Sequence, residues 1–141
     1  VRKLLALLPL LFAAPAFAQS APAVTPAPVV TPSGITYVSL REGTGPKPTA
    51  DDIVRVNYRG TFTDGREFDS SYKRGQPIEF PLGRVIKCWT EGVQLMKVGG
   101  RAQLTCPSDL AYGARGGGGG LIPPNTTLLF EVELLGIVNP N

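Results

Sequence analysis

At 141 residues, 43% of them hydrophobic and 18% charged, the chain has the size and composition of one globular domain. It holds no histidine and only two cysteines, which excludes a Ser-His-Asp or Cys-His nucleophile and leaves too few ligands for a tetrahedral zinc site. The formal charge of +3 comes from 14 basic and 11 acidic residues; without Arg2 and Lys3, which open an N-terminal leader, 12 basic residues remain and the balance is +1. No basic stripe marks nucleic acid as a partner.

In chain order, Arg2 and Lys3 precede an apolar run from Leu4 to Phe17 that closes on Ala16-Phe17-Ala18, the layout of a secretory signal peptide cut after Ala18. A membrane anchor is the competing reading, but a span needs about 20 unbroken apolar residues, and Pro9 and Pro15 interrupt a shorter run. No cysteine stands at the cut to carry a lipid. Residues 19–33 are almost all Ala, Pro, Thr and Val with no charge, a composition that buries nothing and predicts an extended, disordered tether. The folded domain is then expected over residues 34–141.

From Gly34 onward the pattern is rich in strands. Ile35 to Arg41 and Ile53 to Phe62 alternate, the second with Val54, Val56 and Tyr58 on one face and Arg55, Asn57 and Arg59 on the other. Thr63-Asp64-Gly65 is a hairpin signal leading into Arg66 to Asp69. Ile78 to Phe80 predicts a short strand, and Val85 to Gly100 the one helix. There Trp89, Val93 and Met96 fall at i, i+4 and i+7, and Gly99-Gly100 supplies the stop. Gly92 in mid-helix costs about 1 kcal/mol relative to alanine, so this helix must be held by packing on a sheet. Arg101 to Cys106 alternates again with Ala102, Leu104 and Cys106 inward, and Thr127 to Val138 is the longest strand. The expected architecture is α+β: an antiparallel sheet of about five strands wrapped on one short helix.

Single residues carry little chemistry on their own. A lone tryptophan such as Trp89 is by default a core residue, and Asp69 by default a surface aspartate at a strand end. The run Gly116 to Gly120 lacks the Lys-Ser or Lys-Thr of a phosphate-binding loop and reads as a flexible loop. Together, however, eight blocks fall in a recognisable order: Val56-Asn57-Tyr58-Arg59-Gly60, Gly65-Arg66-Glu67-Phe68-Asp69-Ser70-Ser71, Pro77-Ile78-Glu79-Phe80, Val85-Ile86, Trp89-Thr90-Glu91-Gly92-Val93, Gly99-Gly100-Arg101-Ala102, Ala111-Tyr112-Gly113 and Ile122-Pro123-Pro124-Asn125-Thr126-Thr127-Leu128. From Gly34 to Val138 the chain resembles the FKBP-type peptidyl-prolyl isomerases.

The resemblance implies a half-barrel of five to six strands curled round the helix, with a hydrophobic pocket between them. Trp89 corresponds to the pocket floor; Tyr58, Phe68, Val85, Ile86, Tyr112, Ile122 and Phe130 correspond to apolar walls. Asp69 matches the family's buried polar wall residue and Arg74 its basic partner. Tyr58, Phe68, Asp69, Trp89, Tyr112 and Phe130 are the implied catalytic residues; Arg74, Ile78, Val85, Ile86, Leu121 and Ile122 are implied to bind substrate. Ile78 stands where an aromatic is common and Leu121 where isoleucine is common, and the glycine loop is about one residue longer than usual.

The implied activity is rotation of X-Pro bonds in proline-containing polypeptides of the periplasm or exterior, without cofactor or metal and open to block by rapamycin-class macrolides. A binding module or holdase using the same pocket without turnover is the alternative, and a monomer is expected. Cys88 and Cys106 lie at the start of the helix and the end of the next strand. In this fold the two could be neighbours, and an exported chain would let them pair; two buried free thiols are the other possibility.

Overall fold

The structure, a computed structural model, describes residues 27–138. The expected leader over 1–18 and the tether as far as residue 26 lie outside the described residues. Seven strands form one antiparallel sheet: β1 (Val29–Val30), β2 (Thr36–Arg41), β3 (Ile53–Phe62), β4 (Glu67–Ser70), β5 (Ile78–Pro81), β6 (Arg101–Cys106) and β7 (Leu128–Val138). Their order is β1-β2-β6-β7-β3-β4, with β5 also on β3. The sheet is open, and its concave face holds α2 (Lys87–Val93), while a single turn, α1 (Ser71–Arg74), joins β4 to β5.

Strand alternation sets the core. β3 buries Val54, Val56 and Tyr58, β6 buries Ala102, Leu104 and Cys106, and β7 buries Leu128, Phe130, Val132 and Leu134. Against this face pack Cys88, Trp89 and Val93 of α2, followed by Met96. Each large apolar side chain moved out of water contributes roughly 1.5–3 kcal/mol. The outer face is laced with ion pairs, Arg41 to Glu133 at 2.9 Å and Arg101 to Glu131 at 2.8 Å, worth little individually at this exposure.

Two differences from the sequence reading have physical causes. The sheet has seven strands rather than five or six, in part because Val29 and Val30, placed by the sequence in an unstructured tether, pair with Tyr37 and Thr36. A turn stapled by Gly34 N–H on Thr31 O at 2.9 Å folds them back. Helix α2 ends at Val93, because Leu95 and Met96 donate three residues back, to Gly92 and Val93, and so tighten the chain out of the α-helix. Trp89, Val93 and Met96 are nevertheless all buried together. Gly92, a cost by propensity alone, has a packing reason: a Cβ there would stand 2.9 Å from the Leu104 methyls, so glycine lets α2 lie directly on β6.

The edge of β3 is shared by two strands. β5 pairs with Ile53 to Val56 and β4 with Arg59 to Thr61. Asn57 and Tyr58 fall in the gap, and buried Ser71 fills it: its Oγ accepts the Tyr58 N–H at 2.8 Å and donates to Asn57 Oδ1 at 2.9 Å. α1 begins there, with Ser70 as N-cap and Gly75 as C-cap.

Candidate functional site: an aromatic pocket over the helix

A cavity of about 410 Å³ opens between β3, β4, β5, α2 and the loop after β6, lined by Tyr58, Phe68, Asp69, Ile78, Phe80, Arg84, Val85, Ile86, Trp89, Tyr112 and Phe130. Trp89, on the first turn of α2, is its floor. The Tyr58 and Phe130 rings stand edge-on to the indole at 5.1 and 5.3 Å, both at 86°, and Phe80 tilts against it at 5.2 Å. Phe68 closes the wall edge-on to Phe130 at 5.6 Å. Such edge-to-face contacts match the ring quadrupoles and fix the box rather than merely filling it.

Strand alternation alone would send Phe68 and Asp69 to opposite faces. The register of β4 resolves this: Gly60 opposes Asp69 and Thr61 opposes Glu67, so Phe68 is the extra residue of a β-bulge. The bulge re-aims the strand so that both side chains line the cavity. Asp69 is then clasped. Its carboxylate accepts from the Tyr58 hydroxyl, from Arg74 at 2.7 Å and from the Ser70 N–H at 2.8 Å, while Arg74 also donates to the Tyr58 oxygen at 3.0 Å.

Partial burial pushes the Asp69 carboxyl up, but the hydrogen bonds from Tyr58 and Arg74 and the arginine charge outweigh it, holding the group below the usual aspartate value. Burial, and then the hydrogen bond to Asp69, raises the Tyr58 phenol. Tyr112 is also raised, by burial and then by the Asp69 charge. At neutral pH the Asp69 carboxyl is therefore ionised and paired with Arg74, and the Tyr58 and Tyr112 phenols are protonated. Among the described residues several donors of the cavity have no partner, including the Tyr112 hydroxyl, the Arg84 guanidinium and the backbone N–H of Ile86, whose carbonyl starts α2 by accepting from Trp89 and Thr90. The buried indole N–H of Trp89 is likewise without an acceptor.

Of the residues singled out from sequence, Tyr58, Phe68, Asp69, Ile78, Val85, Ile86, Trp89, Tyr112 and Phe130 line this one cavity. Arg74 stands behind it, on Asp69. Ile122 is buried in the core beside it, and Leu121 is exposed at the tip of the glycine loop. Phe80 and Arg84 were missed. Phe80 was legible, two residues after Ile78 on the same strand face; Arg84 carries no pattern that would have marked it. Cys88 and Cys106 form a disulfide with Cα atoms 5.7 Å apart, tying the start of α2 to the end of β6 beneath the pocket. Among the described residues no cluster of three or more His, Cys, Asp or Glu side chains could hold a metal ion.

An open antiparallel sheet cupping a helix, with an aromatic box over that helix and hydrogen-bond donors at its rim, makes a concave, mostly apolar site with a few polar groups. The model of the FKBP-type peptidyl-prolyl cis-trans isomerase family matches residues 45–135, and the chain belongs to that family. It is 56% identical over 110 residues to the FKBP-type peptidyl-prolyl cis-trans isomerase FkpA of Aeromonas hydrophila, covering 78% of this chain and 40% of that one. It is 53% identical over 104 residues to FK506-binding protein 1 of Dictyostelium discoideum, covering 72% of this chain and 96% of that one. Its fold superimposes on the crystal structure of FkpA from Escherichia coli with a TM-score of 0.75 at 47% identity, over 78% of this chain and 51% of that chain. The chain thus spans about 40% of the length of the FkpA relatives it matches.

Proposed function

We propose that this domain is a peptidyl-prolyl cis-trans isomerase acting on exposed X-Pro bonds of exported proteins in the periplasm or exterior, as a monomer. The observation that carries the reading is the Trp89 floor boxed by Tyr58, Phe68, Phe80 and Phe130, with the Ile86 N–H and the Tyr112 hydroxyl among the donors beside it. Rotation about X-Pro meets a barrier of about 18–20 kcal/mol, because amide resonance must be broken. No proton need move. In the twisted transition state the nitrogen lone pair is decoupled and the carbonyl loses its amide polarity, so an apolar, water-poor pocket favours it over the hydrated planar state.

In this reading the proline ring rests on Trp89, gripped by Tyr58, Phe68 and Phe130, while the preceding carbonyl turns. The Ile86 N–H and the Tyr112 hydroxyl hold the flanking backbone, which restricts rotation to the one bond. Asp69, fixed by Tyr58 and Arg74, sets the polarity of one wall and does not act as a base. Export rests on the Arg2-Lys3 leader pattern and on the disulfide, which persists in oxidising compartments. Among the described residues no helix is long and apolar enough to cross a membrane.

The test is a protease-coupled assay on a Leu-Pro or Phe-Pro peptide. Purified chain is expected to accelerate cis-to-trans conversion, and a rapamycin-class macrolide to abolish the acceleration. A progress curve no faster than the uncatalysed one, with the peptide still bound, would replace catalysis by a binding or holdase role.

A further inference from the structure

The run Gly116 to Gly120 opens four residues after Tyr112 and divides into a neck and a tip. At the neck Gly117 and Ile122 exchange both backbone hydrogen bonds, at 3.1 and 3.0 Å, and below it the Asn125 N–H closes on Gly113 O at 2.9 Å. The tip, Gly118 to Gly120, runs through φ of 62°, 67° and 96°, and a Cβ on Gly119 or Gly120 would meet nothing within 4 Å. Gly117 differs in both respects. Its φ of −162° and ψ of −173° are extended backbone that any residue adopts. Yet a Cβ there would stand 2.4 Å from Cδ1 of Tyr112 and 2.9 Å from Cε1 and Cγ. Glycine at 117 is required by the tyrosine ring, not by the path of the chain.

We propose that Gly117 is a positioning residue of the isomerase, the seat on which the Tyr112 ring lies so that its hydroxyl meets the bound chain. The proposal rests on the isomerase reading of the pocket. What gives way when the seat is filled follows from what holds each partner. The neck is pinned by the double bridge to Ile122, which is only 4% exposed, whereas Tyr112 is 38% exposed and its hydroxyl has no partner among the described residues. A methyl group at 117 therefore swings the ring outward and leaves the loop in place. The floor and the Asp69 clasp, on other elements, stay as they are.

The experiment compares the full chain with Gly117→Ala, Tyr112→Ala and the double variant, reading kcat/KM on the Leu-Pro peptide, the melting temperature, and the Tyr112 ring resonances in tyrosine-labelled protein. Expected for Gly117→Ala are displaced Tyr112 resonances, a melting temperature within about 2 °C of the parent, and kcat/KM lower by about tenfold or more. In the Tyr112→Ala background the same substitution is expected to change kcat/KM no further, since the ring it displaces is gone. Gly119→Asn, at the tip with φ of 67°, is expected to leave activity unchanged. Unmoved Tyr112 resonances, an activity loss that only tracks loss of folded protein, or an equal loss in the Tyr112→Ala background would each overturn the proposal. An inactive parent chain sinks the isomerase reading and with it the catalytic role; the ring resonances then report on the seat alone.

Discussion

Ser71 Oγ lies 2.8 Å from the backbone nitrogen of Tyr58 and accepts its N–H, doing for β3 what a neighbouring strand does elsewhere. The hydroxyl is fully buried and bridges the interval between the β4 and β5 pairings. Ser71→Ala leaves that N–H unpaired out of water, a loss of about 1–3 kcal/mol, to be read by urea titration. Because Tyr58 both walls the pocket and clasps Asp69, kcat/KM of the folded fraction is expected to fall as well. A variant as stable and as active as the parent would mean that water replaces the hydroxyl without consequence.

Turnover is expected to be flat with pH from about 5 to about 9, since the Asp69 carboxyl is lowered and the Tyr58 and Tyr112 phenols are raised away from that range. The chain has no histidine to interrupt it. The folded Asp69 titrates below its unfolded value, so the stability it contributes is complete above about pH 4 and is lost as pH falls toward the lower folded value. Asp69→Asn is expected to remove that acid limb of the stability profile and to lower turnover by loosening Tyr58. A bell-shaped rate profile centred near neutrality would contradict a mechanism without proton transfer.

Leu104 and Phe130 face each other across β6 and β7, and both are buried, but only Phe130 reaches the cavity. Leu104→Ala is expected to cost roughly 2–5 kcal/mol of stability with little change in activity per folded molecule. Phe130→Ala is expected to cost about 3–5 kcal/mol and also most of the turnover. Denaturant titration beside active-fraction kinetics separates the two.

The Cys88–Cys106 bridge closes a loop of 18 residues, and restricting the unfolded chain in this way is worth about 3 kcal/mol. Denatured, unreduced protein is expected to show no free thiol, and reduction to lower the melting temperature. Both cysteines are fully buried, so reductant is expected to act on the unfolded chain far faster than on the native one. Two thiols titrating in native, unreduced protein would refute the bridge.

Much of the fold was legible because period-two alternation marks strands directly. β3, β5, β6 and β7 fall within a residue of their sequence ranges, and the Trp89, Val93, Met96 face is buried as the spacing requires. What stayed hidden depends on pairing between distant segments. The bulge at Phe68 exists only relative to Gly60 and Thr61, Ser71 has a task only where two strands abut, and Val29-Val30 becomes a strand only because β2 offers an edge. The site followed the same rule. Aromatic walls could be assigned from the motif blocks, whereas Arg84 could not, and the sequence left the glycine run as an undivided loop.

Helix α2 has seven residues, well short of the roughly 12–15 at which an isolated helix becomes marginal in water. Glycine sits in its middle, no side chain caps its first turn, and its inner face and disulfide are built into β6. It has no capacity to open and close by itself. Its amide protons are expected to exchange with solvent only through whole-domain unfolding, with the same opening free energy as those of β6 and β7. The Trp89 floor thus belongs to the same cooperative unit as the sheet, and whatever enters the cavity meets either a complete pocket or an unfolded domain.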